Sequence, residues 1–268
     1  RRVGLERPIT IHHLLTHTSG FDYDYVHTAA GEGLTLEQYL PRQCQRPLRL
    51  QPGRQWLYGA STDILGRLIE VVSGMPLDAF FQERIFAPLG MTDTAFWVPP
   101  AKADRLVEMV THDGAGGLAP GEPLHRGSIF EKPAFLSGGG GLVSTTSDYL
   151  RFSLMLLNGG ALDGVRLLAP KTVELMRADH LPAGQPPLDH NRRGFGLGVS
   201  VLRRLGETQQ VGSVGEFGWG GAACTQVWID PAERMVTLMM SQLRPTGIVG
   251  IFTIMDLVKQ AAYQAILD

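Results

Sequence analysis

Cysteine is scarce: this 268-residue chain has two, Cys44 and Cys224, far apart and in no Cys-x-x-Cys pair. That excludes a disulfide-built scaffold and a thiolate zinc site, and both thiols read as core residues. Long apolar runs are also missing, because Gly, Asp or Arg breaks each hydrophobic stretch before it reaches the length of a membrane span. Nor does one sign of charge dominate. Lys and Arg total 24 against 26 Asp and Glu, giving a net charge of −2 with the basic residues spread along the chain. Such a surface carries no electrostatic footprint for nucleic acid or an anionic membrane, and a small-molecule partner is expected instead. The first residues, Arg1-Arg2-Val3, include neither an initiator Met nor a signal-like apolar region, so the natural beginning is expected to lie upstream. A cytoplasmic site is expected over export.

What is present is enough apolar material, 44% of residues, to bury a sizeable core at the upper edge of one domain or the lower edge of two. Thr10 is an N-cap for a short helix through Leu14 and Leu15, and Thr35 for another over Leu36, Tyr39 and Leu40. From Ser61, the residues Ile64, Leu65, Leu68, Ile69 and Val72 recur at helical spacing, with Asp63 in the first turn and Gly74 as terminator. Pro76 opens a further helix that is expected to end before Pro88-Leu89-Gly90-Met91. Residues 99–133 read as short strands and loops. Ser144 to Asp148 cap a helix running to Asn158-Gly159-Gly160, and Pro170 opens one more.

After Arg193 the pattern turns strand-like: Gly194 to Leu202, Gln209 to Val214, Thr225 to Ile229 and Met235 to Ser241. Asp230-Pro231-Ala232-Glu233 is a turn between the last two, which predicts an antiparallel pair. A closing helix over Ile251 to Leu267 suits packing on that sheet. Helices followed by an antiparallel meander make the fold class α+β. The natural division is a mostly helical region over 1–193, carrying the site loops, and a strand-and-helix region over 194–268.

Acyl transfer needs a nucleophile, a nearby base and N–H donors for the developing oxyanion. One known solution pairs Ser-x-x-Lys with a second hydroxyl-bearing base and a strand whose backbone supplies a donor. Five stretches resemble landmarks of the serine β-lactamase-like superfamily, in its branch of class C β-lactamases and family VIII carboxylesterases: Ile9 to Phe21, Trp56 to Gly66, Phe86 to Met91, Gly138 to Phe152, and Phe195 to Gly198. They occur in the family's order and cover almost the whole chain. The resemblance implies the β-lactamase-like fold, an antiparallel sheet flanked by helices plus a mostly helical region, with no metal or organic cofactor.

Carried over position by position, the resemblance implies that Tyr58 is the catalytic base; read without it, a tyrosine before a helix is an ordinary packing residue. A free phenol titrates near ~10, so such a base needs a neighbouring cation, which the family's Ser-x-x-Lys lysine supplies. Ala60 stands where the family has Asn, with Ser61 as the adjacent polar substitute. Trp219-Gly220-Gly221 matches the family's Lys-Thr-Gly or Trp-Gly-Gly element, placing Trp219, Gly220 and Gly221 at the substrate and the Ala222 N–H in the oxyanion hole. Trp219 could equally be a strand aromatic beside a bulge, though its flanking glycines favour the pocket. Tyr23, with Tyr25, either lines the substrate entrance or covers the core. Gly139 belongs to a four-glycine run expected to form a tight turn beside the cleft, since no Lys-Ser/Thr follows to make a phosphate loop. His13 and His17, one helical turn apart, could share a metal, but without HExxH or a third ligand they read as structural.

The nucleophile is the departure. No serine has a lysine three residues later; Ser128 comes nearest, with Glu131 at that position and Lys132 one beyond. The expectation is therefore a fragment lacking the N-terminal part of the sheet lobe, with Ser-x-x-Lys on a missing segment or a companion chain. The indole at Trp219 and the alanine at Ala60 point to a serine hydrolase of carboxylic esters. A β-lactamase or D-alanyl peptidase, an acyltransferase, and a non-catalytic binding module of the same fold remain alternatives.

Overall fold

The computed structural model describes residues 3–124, 127–182, 188, 193–208, 210–244 and 251–266. Helix α1 (Ile11–Leu15) starts where the Thr10 side chain accepts the His13 N–H, while His13 Nδ1 accepts the Thr10 N–H, a closed capping box. This bond explains His13 structurally. His17 lies beyond the helix end in the left-handed region, φ +51°, so the two histidines do not share a helix face. Among the described residues no group of three or more His, Cys, Asp or Glu is placed to hold a metal.

Next come α2 (Val26–Gly31) and α3 (Leu36–Cys44), the latter begun by a second capping box between Thr35 and Gln38. Cys44 at its end is exposed whereas Cys224 is buried, so only the second is a core thiol. The patterned helix is α4 (Ser61–Ser73), stopped by Gly74 at φ +71°. Asp63 does more than face the helix dipole. Its buried carboxylate accepts the Ser137 hydroxyl at 2.6 Å and the Gly139 N–H at 3.3 Å, and burial raises its pKa. The glycine run is a tight turn, closed by Gly141 N–H on the Ser137 carbonyl, and it packs directly on α4. A Cβ at Gly138 would stand 2.3 Å from the Thr62 carbonyl oxygen.

Helix α5 (Leu77–Phe81) passes through one wide π turn, Gln82–Phe86, into α6 (Ala87–Leu89). The helical path thus continues through Pro88 and stops at Gly90, φ +66°, instead of ending before the proline. The turn preceding Pro88 is the wide π turn, where the hydrogen-bond ladder already shifts register, so the proline's missing N–H is accommodated there. After a 3-10 turn over Pro100–Arg105 come strands β1 (Val110–His112) and β2 (Leu118–Pro120). They are followed by α7 (Thr146–Leu157), capped by Thr145, the small hairpin β3 (Ala161–Leu162) and β4 (Val165–Arg166), and α8 (Pro170–Met176).

The main sheet uses β5 (Gly194–Phe195), β6 (Ser200–Val201), β7 (Phe217–Gly218), β8 (Gly220–Gly221), β9 (Thr225–Asp230) and β10 (Met235–Met239) in the order β10-β9-β7-β6-β5. All these pairs are antiparallel, and β8 prolongs β7 along β9. The expected single strand from Gly194 to Leu202 is a hairpin, because Gly198 at φ +88° turns the chain back. Of the expected strand from Gln209 to Val214, Gln209 lies outside the described residues and 210–214 form no strand. A short helix α9 (Leu205–Thr208) precedes them, and Gly215 at φ +91° turns its N–H onto the Leu202 carbonyl, so pairing begins at Phe217. Among the described residues one pairing is parallel: β1 lies beside β11 (Leu243–Arg244), and with β2 on its other side forms a separate three-stranded sheet in the order β11-β1-β2. Helix α10 (Ile251–Gln264) closes the described chain; Leu267, its expected end, lies outside it.

Alternation along β9 decides the packing. Val227 and Ile229 join Phe217, Met155 and Leu156 under α7, while Trp228 faces the other way onto Met255 of α10. The sheet is covered on both faces. A separate core holds Leu14, Leu36, Tyr39, Ala60, Ile64 and Leu77 beneath α1 to α5. A buried ionic group fastens α10 to the sheet: Glu216 accepts Arg193 at 2.7 Å and Lys259 at 2.8 Å on one oxygen and Tyr263 at 2.8 Å on the other. No described helix is long and apolar enough to cross a membrane.

Candidate active site

Tyr58 sits at the end of an irregular approach, two residues before the Ala60 N-cap of α4. Its hydroxyl accepts the Trp219 indole N–H at 3.3 Å, a contact between residues 161 positions apart. Four rings, that of Trp219 among them, surround it. His17 lies 4.5 Å away centroid to centroid, Tyr23 at 5.4 Å edge-on, Trp219 at 5.3 Å, and Trp56 stacks at 5.9 Å and 11°. Phe195 stands edge-on to Trp219 at 5.2 Å and to His17 at 5.6 Å. Burial, and then the neighbouring Tyr58 hydroxyl, push the Tyr23 phenol above its usual range, so Tyr23 stays neutral beside Tyr58. Burial alone lowers His17 to about 4, leaving it neutral too.

The strand carrying Trp219 has an open edge. Val227 N–H bonds to the Trp219 carbonyl, so odd residues from Phe217 to Gly221 face β9 and the even ones face β6. Ser200 pairs with Gly218, and the next position along β6 to meet Gly220 would be Gly198. Gly198 instead gives its N–H to the Leu15 carbonyl at 2.9 Å. The ladder therefore ends at Gly218, and the backbone at Gly220 and Ala222 faces outward. The Ala222 N–H has no hydrogen-bond partner among the described residues.

A tyrosine hydroxyl bonded to an indole, on a strand with a free edge and an unpaired amide, offers the kinds of group, a hydroxyl and a backbone N–H donor, that acyl transfer can use. The Beta-lactamase family profile matches residues 4–250. The chain belongs to the beta-lactamase family. Among its relatives, a monacolin J acid methylbutanoyltransferase of Aspergillus terreus is 30% identical over 88% of this chain, and a lovastatin esterase of Penicillium rubens is 39% identical over 80%. The chain spans 62% of the length of the first and 54% of the second. In solved structures the fold is similar to EstCE1, a hydrolase with promiscuous acyltransferase activity, at TM-score 0.80 and 27% identity, covering 97% of this chain and 73% of that one. The β-lactamase-like fold, helices with an antiparallel sheet, is thereby established, in a family whose members include esterases and acyltransferases.

Within this family member the sequence-named residues divide. Tyr58, Tyr23 and Trp219 come together, and Gly220, Gly221 and Ala222 continue from Trp219 along the open edge. Gly139 is set apart: its N–H is taken up by Asp63 Oδ1 and Ser137 Oγ, and a Cβ there would stand 2.9 Å from Thr62 Oγ1. Ser61 does not replace the amide absent at Ala60, because its hydroxyl is fully buried against Ser19 Oγ at 2.8 Å. Sequence reasoning missed His17 as a neighbour of Tyr58. Its place in Thr16-His17-Thr18-Ser19-Gly20 was visible, but the left-handed turn that swings it off the helix face was not.

Proposed function

We propose that the complete protein is a serine hydrolase of small carboxylic esters that works through an acyl-enzyme, with Tyr58 as base and the Ala222 N–H in the oxyanion hole. The nucleophile is a serine of a Ser-x-x-Lys element on a segment outside this sequence, which also brings the lysine cation that Tyr58 requires. The serine hydroxyl attacks the ester carbonyl as Tyr58 takes its proton, and the carbonyl oxygen gathers negative charge at Ala222. Collapse expels the alcohol, which regains the proton, and water then releases the acid by the same steps.

The observation that carries this reading is the Trp219 N–H donated to the Tyr58 hydroxyl. It and the Tyr23 hydroxyl are the neighbours of the Tyr58 oxygen, and both favour the phenolate form, promoted by the lysine cation, that takes the serine proton. It also puts an uncharged indole where a β-lactam carboxylate would need a cation, which favours neutral esters. The lovastatin esterase supports hydrolysis, and the methylbutanoyltransferase supports a second reading in which an alcohol replaces water at the acyl-enzyme.

The test is the complete protein assayed with p-nitrophenyl butyrate and with nitrocefin, with and without an added alcohol. Turnover of the butyrate ester with little nitrocefin cleavage fits the proposal. Preferential nitrocefin cleavage would make it a β-lactamase, and acyl ester formed faster than acid would make it an acyltransferase. No fluorophosphonate labelling of the complete protein would leave a non-catalytic module.

A further inference from the structure

His17 holds the chain on both sides of Tyr58. Its carbonyl accepts the Leu57 N–H at 2.8 Å, and its ring nitrogen Nδ1 accepts the Gly59 N–H at 3.4 Å. Its ring lies 4.5 Å from the tyrosine ring, and the side chain is 1% exposed. The geometry is demanding. Only because His17 adopts φ +51°, rare for a residue with a Cβ, do its carbonyl and its imidazole both reach this one tripeptide. Gly59 completes the fit from the other side, since a Cβ there would stand 2.3 Å from the Phe21 carbonyl oxygen.

We infer that His17 is a positioning residue for Tyr58, clasping Leu57 and Gly59 so that the tyrosine hydroxyl is fixed beneath the Trp219 indole. Proton transfer falls off steeply when donor and acceptor are displaced, so a base on an irregular loop needs such a fixture. The imidazole contributes an acceptor, Nδ1, which sets its proton on Nε2 and requires the neutral ring. It touches no reacting atom. The inference rests on the reading of Tyr58 as the base, but the clasp itself does not.

Side-chain length gives the test. Asparagine tolerates the left-handed backbone and puts its amide oxygen where Nδ1 is; glutamine puts its oxygen where Nε2 is. His17→Asn, His17→Gln and His17→Leu are made in the complete protein, with thermal melts to check folding. Two readouts are taken: hydrogen exchange of the Gly59 amide, and kcat with KM on p-nitrophenyl butyrate. In His17→Asn both stay near wild type. In His17→Gln and His17→Leu, Gly59 exchanges about tenfold faster and kcat falls about tenfold or more with KM little changed, the loss expected for one buried hydrogen bond. Gly59 exchange that is the same in all four proteins overturns the clasp. Exchange that follows the acceptor while kcat stays constant overturns the positioning role. Wild-type protein inactive on the ester, with Gly59 exchange following the acceptor, keeps the clasp and sinks the esterase reading instead.

Discussion

The Trp219 indole N–H donates to the Tyr58 hydroxyl, joining the loop before α4 to the strand edge at Gly220. One element comes from the helical part of the chain and the other from the sheet, so the contact exists only when both are folded and docked. It makes Trp219 a hydrogen-bond partner of Tyr58, the proposed base.

Replacing Tyr58 by Phe removes one hydroxyl and leaves the ring stack with Trp56 intact. In the complete protein the acylation rate should fall about 10²- to 10⁴-fold, the usual contribution of a general base, with an unchanged melting temperature. Single-turnover kinetics with p-nitrophenyl butyrate measure this, and near-normal acylation would remove Tyr58 from the mechanism.

Trp219→Phe keeps the ring and deletes the donor. The expected result is a kcat lowered about tenfold and a KM within a few-fold of wild type, since one hydrogen bond to the base is lost. A change confined to KM would mean that Trp219 only contacts substrate.

The buried ring of His17 makes stability depend on pH. Its pKa is near 4 when folded and near 6.5 when unfolded, so between these values the unfolded chain binds more protons. This contribution is complete above the unfolded value and is lost as pH falls from about 6.5 to about 4, amounting to about 3 kcal/mol. Urea unfolding at stepped pH reads it directly. His17→Asn should flatten that part of the profile, and an unchanged slope in the variant would assign the effect to other groups.

Glu216 is fully buried between two cations and the Tyr263 hydroxyl. Glu216→Gln removes the carboxylate bonded to both Arg193 and Lys259, leaving buried Asp230 as the remaining nearby negative charge, and should destabilise by about 3–5 kcal/mol in chemical denaturation. Combining it with Lys259→Met should recover part of the loss, because the second stranded charge is then removed. Strict additivity of the two changes would show that they do not interact.

Local signals made much of the fold readable. Thr10, Thr35 and Thr145 cap helices because a short hydroxyl side chain can meet an N–H of the first turn, and Gly74 ends α4 because it alone enters the left-handed region without strain. Alternation placed β9 and β10 with their turn at Asp230 to Glu233. Signals failed where the chain obeyed distant partners. Gly198 broke an apparent strand, Asp63 turned inward to Ser137, and Glu216, Lys259 and Tyr263 gave no local hint of meeting.

Residue identity and periodicity by themselves therefore determined most of the helices, the β9–β10 pair and the α+β class, and the resemblance to a known family singled out Tyr58, Trp219 and the glycines after it. Only tertiary structure decided what these residues touch. It gave Tyr58 an indole donor, put His17 behind the tyrosine, withdrew Ser61 and the Gly139 amide into internal bonds, and left Gly220 without a strand partner by drawing Gly198 toward Leu15. The reason is range: capping and periodicity act within a few residues, whereas a site built across 161 positions depends on how separate faces pack.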